Sequence, residues 1–183
     1  VSARLFAALE LPAGVRADLA DFGRAAASHD DALRAVREDA LHLTLAFLGH
    51  RALDDIDPAR EAIRGLDSPA PKLTLSEPLW LAPKRPHVLT LALQDAGGVL
   101  PALQEQVVAR LSTALSWEPE TRPFRPHVTV ARVRRGWRPR LRDLPDAPHA
   151  TFAAEAVVLF RSHLGGRGPA RYEALERTEL SSQ

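Results

Sequence analysis

The chain has 183 residues, 45% hydrophobic and 26% charged, with a formal net charge of +1 and no cysteine. That length buries a substantial core in one domain or two small lobes, and the missing thiols exclude a disulfide framework and thiolate metal ligation. No stretch approaches the roughly 20 apolar residues that span a bilayer. Glu10 interrupts the short run Leu5–Leu11, too short for a leader peptide, so a cytoplasmic protein is the simplest expectation.

Residues 4–10 (RLFAALE) read as a strand, followed by Leu11-Pro12 and a helical pattern over about Ala13–Ser28. A short strand near Leu33–Arg37 leads to a longer one at Leu41–Leu48, which is expected to stop at Gly49. A helix near Pro58–Leu66 and a strand at Leu73–Leu81 close the first half. The second half repeats the plan. Val88–Gln94 is a strand, Gly97-Gly98 opens a helix reaching about Leu115, and His127–Val133 is the next strand. Two further strands, Phe152–Ser162 and Ala170–Ala174, flank a glycine-rich segment at 165–169. That segment reads as a turn, since neither a following helix nor a P-loop lysine accompanies it.

Two tetrapeptides stand out: His42-Leu43-Thr44-Leu45 and His127-Val128-Thr129-Val130. On a strand, residues two apart share a face, so each His and its Thr point one way and the apolar residues between point to a core. Glu10 precedes His42 by 32 residues, and Asp95 precedes His127 by 32. Matched spacing argues for an internal repeat. The elements fit an α+β fold with antiparallel or mixed sheets, helices outside, and two pseudo-symmetric lobes around a central cleft. The whole chain, 1–183, is expected to be a single domain of two intertwined lobes, roughly 1–85 and 86–183, with strand exchange between them.

Charge is unevenly spread. Eight arginines and no acid lie between Arg122 and Arg142, so the remainder carries a net charge of about −7. Lysine is nearly absent, at positions 72 and 84 alone. The cluster's place beside His127 favours a phosphate-binding surface over a merely solvated loop.

Imidazole titrates near neutrality, so one ring can give a proton while another takes one. Splitting a phosphodiester needs such a pair, and threonine hydroxyls can hold the non-bridging oxygens as charge builds. Zinc is the natural rival, yet no HExxH and no carboxylate at ligand spacing lies near either motif. His87 opens a strand as Pro86-His87-Val88, but Thr90 is three residues on and falls on the other face. His29, His50, His149 and His163 read as exposed residues at turns or element ends.

The paired pattern resembles the 2H phosphoesterase superfamily, and within it the RNA 2′,3′-cyclic phosphodiesterases historically called 2′-5′ RNA ligases. The resemblance runs from Arg4–Leu9 with Leu11-Pro12, through Leu41–Gly49 and Phe124–Arg132, to Phe160–Leu164, Gly168-Pro169 and Tyr172. It implies hydrolysis of a terminal 2′,3′-cyclic phosphate on RNA, or on a small cyclic nucleotide, to a 2′-phosphate, without metal or other cofactor. By position His42 would be the proton donor to the departing 3′ oxygen and His127 the proton acceptor that activates water. Thr44 and Thr129 would bind phosphate oxygens and Arg132 would add a cation. Strict alternation puts Arg132 on the face opposite His127, so its role requires the strand to bend or end there. The same rule sends Phe47 to the core rather than to a nucleobase. Ligation of a cyclic phosphate to a 5′-hydroxyl is the same chemistry reversed. A non-catalytic RNA-binding module, with Phe124 and Trp137 stacking in the basic 122–142 segment, is the other alternative. A monomer with no membrane partner is the default.

Overall fold

The computed structural model describes residues 2–82, 84–139, 144–163 and 170–182. In chain order these form β1 (Ser2–Glu10), α1 (Ala13–His29), β2 (Leu33–Ala35), β3 (Leu43–Ala52), α2 (Ile56–Arg64), β4 (Lys72–Leu81), β5 (Val88–Asp95) and α3 (Val99–Leu115). They continue with β6 (His127–Val133), β7 (Thr151–Ala153), β8 (Ala156–His163) and β9 (Arg171–Glu179). The glycine-rich segment at 165–169 lies outside the described residues, as do Arg140 and Arg142 of the basic cluster.

Antiparallel pairing joins the strands in the order β7-β4-β5-β6-β3-β1-β8-β9, with β2 also on β6. The fold is therefore α+β, and its centre is the seam between β3 and β6, where Leu43 pairs with Val128. From that seam β1, β8 and β9 extend one half, and β5, β4 and β7 extend the other. The unit β1-α1-β3 recurs as β5-α3-β6, the repeat that the 32-residue spacings predict.

Each helix of the repeat lies beneath the other half's motif strand. In α1, Val15, Leu19, Phe22 and Ala26 recur at helical spacing and are buried. Gly23 brings this helix so close to β6 that a Cβ there would stand 2.5 Å from the Val130 carbonyl oxygen. In α3, Leu100, Leu103, Val107 and Leu111 form the buried stripe. Gln104 Nε2 of α3 donates to the Leu45 carbonyl of β3 at 3.2 Å. The α3 N-terminus is fixed by Asp95, whose carboxylate accepts from the backbone N–H groups of Gly97 and Leu100.

The last strand, expected over Ala170–Ala174, runs on to Glu179 because it pairs along the whole of β8, and two other expected boundaries shift. β3 does not stop at Gly49: Leu48 is an extra residue in the strand, the glycine beside it takes a left-handed φ of +69°, and pairing resumes with Gly49 opposite Leu5 and His50 opposite Arg4. The expected strand Phe152–Ser162 divides at Ala154-Glu155, because the chain there changes lobes. The Ala154 N–H bonds Pro71 O while the Glu155 N–H bonds Glu10 O, so β7 continues beside β4 and β8 beside β1.

Candidate active site

The site is built on a shared irregularity of the two motif strands. β3 pairs Thr44 with Ala8 and Ala46 with Ala7, leaving Leu45 as an extra residue. β6 pairs Thr129 with Thr90 and Ala131 with Leu89, leaving Val130 extra. Each bulge therefore falls three residues after the histidine. It buries two successive apolar residues and returns the next side chain to the face of the His and Thr. Hence Arg132 reaches the cleft because the strand bends at the bulge rather than ending, one of the two ways its role required. Phe47 is a second correction. It sits opposite Phe6 and is 40% exposed, with the Arg4 guanidinium 4.9 Å above its ring, rather than in the core.

Around the Leu43–Val128 pair, antiparallel geometry sets His42 beside Thr129 and Thr44 beside His127. The two rings are anchored alike. His42 Nδ1 donates to the Ala40 carbonyl at 2.9 Å, and His127 Nδ1 donates to the Arg125 carbonyl at 2.7 Å. A carbonyl only accepts, so each Nδ1 carries the proton and each Nε2 is left for chemistry. Neither threonine hydroxyl is engaged by a described residue.

The surroundings of the rings differ. His42 lies within 4.8 Å of the Phe6 ring, 5.4 Å of Tyr172 and 6.2 Å of Phe160, centroid to centroid. Burial in this cage pushes its pKa down to about 4, with the charges of Arg132 and His127 adding to the fall and the Ala40 hydrogen bond opposing it. That electrostatic reach brings His42, His127 and Arg132 into one site. A polar recess of about 310 Å³ borders the cage, lined by Arg37, Asp39, Ala40, Ala170, Arg171 and Tyr172.

The remaining candidates fall elsewhere. Thr90 shares the cleft face with Thr129 but is fully buried and donates to Leu79 O, while His87 is exposed beyond it. His50 is exposed within β3 rather than at a turn, and His163 bonds Glu173. Phe124 packs against the core, whereas Trp137 is 56% exposed. Among the described residues no group of three or more His, Cys, Asp or Glu is placed to hold a metal ion, and no helix is long and apolar enough to cross a membrane. The cage from Phe6, Phe160 and Tyr172 is absent from the motif reading. It takes one aromatic residue from each of three strands that nothing in sequence places side by side.

Comparison with known proteins converges on one family. The model of the 2′-5′ RNA ligase superfamily matches residues 13–166. An Escherichia coli K12 protein named RNA 2′,3′-cyclic phosphodiesterase is 30% identical over 187 residues, covering 97% of each chain. The crystal structure of E. coli LigT complexed with 3′-AMP superposes with a TM-score of 0.76 at 27% identity, covering 99% of each chain. The crystal structure of TT0787 from Thermus thermophilus gives 0.76 at 25% identity and 97% coverage of each. With two His-x-Thr strands meeting at the centre of the same α+β fold, the chain belongs to the 2′-5′ RNA ligase superfamily of 2H phosphoesterases.

Proposed function

We propose that this protein hydrolyses 2′,3′-cyclic phosphate ends of RNA to 2′-phosphates, using His127 as proton acceptor and His42 as proton donor. The observation that carries the reading is the matched pair of imidazoles. Each is fixed through Nδ1 to a carbonyl of its own chain segment, and the two flank one antiparallel pair in a common cleft. The names of the similar proteins support the choice of substrate.

His127 Nε2 takes a proton from water, whose oxygen forms the new bond to phosphorus. The bond to the ribose 3′ oxygen breaks in line, and His42 Nε2 returns a proton to that oxygen. Thr44 and Thr129 hydroxyls donate to the non-bridging oxygens, and Arg132 neutralises the charge gathering on them. No step draws on a metal or nucleotide. A donor with a pKa of about 4 is neutral at pH 7 in the empty site. The bound phosphate supplies the missing negative charge, so His42 gains its proton together with the substrate. The chain acts as one domain of two interleaved lobes, as a cytoplasmic monomer. Ligation in the reverse direction uses the same two groups with a 5′-hydroxyl in place of water.

The test is to incubate an oligonucleotide ending in a 2′,3′-cyclic phosphate and resolve the products. A 2′-phosphate end, formed equally in EDTA, is expected. A 3′-phosphate product, or a rate abolished by chelation, overturns the reading.

A further inference from the structure

β2 is three residues long and pairs only with the far end of β6. In that ladder Arg34 stands directly opposite Arg132. Residues opposite one another in an antiparallel pair share a face, so both guanidiniums project from the cleft side. Burial agrees: Leu33 is 1% exposed beneath the pair, on the side where α1 packs, and Arg34 and Arg132 are exposed. Neither arginine forms a hydrogen bond or ion pair with a described residue. Like charges directly opposite across a ladder destabilise it. Two facing, unpaired arginines are an arrangement that an anion stabilises and that an empty strand pair does not.

Resting on the functional reading above, we infer that Arg34 extends the site by one phosphate. Arg132, whose charge reaches His42, serves the cyclic phosphate. Arg34, one strand further from β5, receives the phosphodiester linking the terminal nucleotide to the one before it. Adjacent strands lie about 4.8 Å apart, and the long flexible arms span the rest of one nucleotide step. The substrate is thus the end of an RNA strand in preference to a free cyclic mononucleotide, and the preference resides in a residue outside both His-x-Thr motifs.

The experiment compares kcat/KM for uridine 2′,3′-cyclic phosphate, its 5′-phosphorylated form, and the dinucleotide UpU ending in a 2′,3′-cyclic phosphate. Arg34→Ala should lower the dinucleotide-to-mononucleoside ratio about tenfold, mainly through KM, as expected for loss of one charge-assisted contact. Arg34→Lys should restore part of the ratio and Arg34→Glu depress it further. If the 5′-phosphorylated mononucleotide loses as much as the dinucleotide, the contact is with that single phosphate. If it loses nothing, the contact needs the internucleotide diester. An unchanged ratio overturns the inference. So does a melting temperature several degrees lower in Arg34→Ala, because removing one of two facing like charges should hold or raise stability. Wild-type protein that turns over none of the three substrates would sink the functional reading instead. The same ratio, measured as Kd by anisotropy with labelled di- and mononucleotides, then decides the role of Arg34 alone.

Discussion

Immediately before β3 the histidine lies among three aromatic rings; at the start of β6 its counterpart lies beside the Arg125 backbone. The strands are otherwise alike, with the same carbonyl anchor and the same bulge. What differs is everything the rest of the sheet brings to them. β1, β8 and β9 cover His42 with rings, whereas β2 sets Arg34 opposite Arg132. A duplicated unit thereby becomes an asymmetric pair, one imidazole packed among aromatic rings and the other without them. The packing around them, more than the motif itself, separates the two rings.

The strongest way to break this comparison is to remove each ring. His42→Ala and His127→Ala should each lower cyclic-phosphate hydrolysis by about 10²–10⁴-fold, with circular dichroism unchanged. The double variant should be little worse than either single one, since the two act as a unit. Additive losses would mean that the rings serve separate steps.

The asymmetry should next appear in stability. His42 titrates near 4 when folded and near 6.5 when unfolded. A depressed folded pKa means that its contribution is present above pH 6.5 and is lost as pH falls through 4, because the unfolded chain binds the proton first. The loss amounts to roughly 3 kcal/mol over that window. Urea unfolding between pH 7 and pH 4 should reveal it in the wild type and miss it in His42→Phe. Proton NMR should place the His42 midpoint near 4 in the free protein and higher with inorganic phosphate bound; an identical midpoint in both would disprove substrate-linked protonation.

A smaller contrast lies at the matched positions after the bulges. Arg132→Ala should reduce kcat/KM about 10- to 100-fold through loss of a phosphate contact and raise the His42 pKa. Phe47→Ala should do less and leave that pKa alone. Equal effects at the two positions would erase the distinction between the strands.

The helices beneath the bulges give the finest test. Gly23→Ala forces a methyl against the Val130 carbonyl and should cost about 1–3 kcal/mol. Gln104→Ala removes one hydrogen bond to Leu45 O and should cost about 1 kcal/mol. Thermal melts of both variants would rank them.

The histidines, the threonines and the order of elements were legible because period-two alternation and the 32-residue spacings are local signals. Arg132 and Phe47 were not, because alternation predicts a face only while the ladder stays regular, and each bulge adds a residue. The trace was nonetheless present: Leu45-Ala46 and Val130-Ala131 are successive apolar residues at equivalent positions in both motifs. The aromatic cage and the Arg34–Arg132 pair depend on which strands neighbour each other, set by long-range pairing of β8, β9 and β2. The break at Ala154-Glu155 has the same origin, since only the tertiary arrangement tells the chain to leave β4 for β1.

The bulge makes each motif a three-place reading frame: positions zero, two and five face outward, where an unbroken ribbon would offer zero, two and four. Deleting Val130 would restore even parity and leave Arg132 facing outward, four places after His127, with one apolar side chain fewer against the layer that Gly23 abuts. Relatives of this chain are therefore better compared by the residue five places after each histidine than by the familiar four-letter signature, since that fifth residue is where two copies of one ribbon were free to specialise.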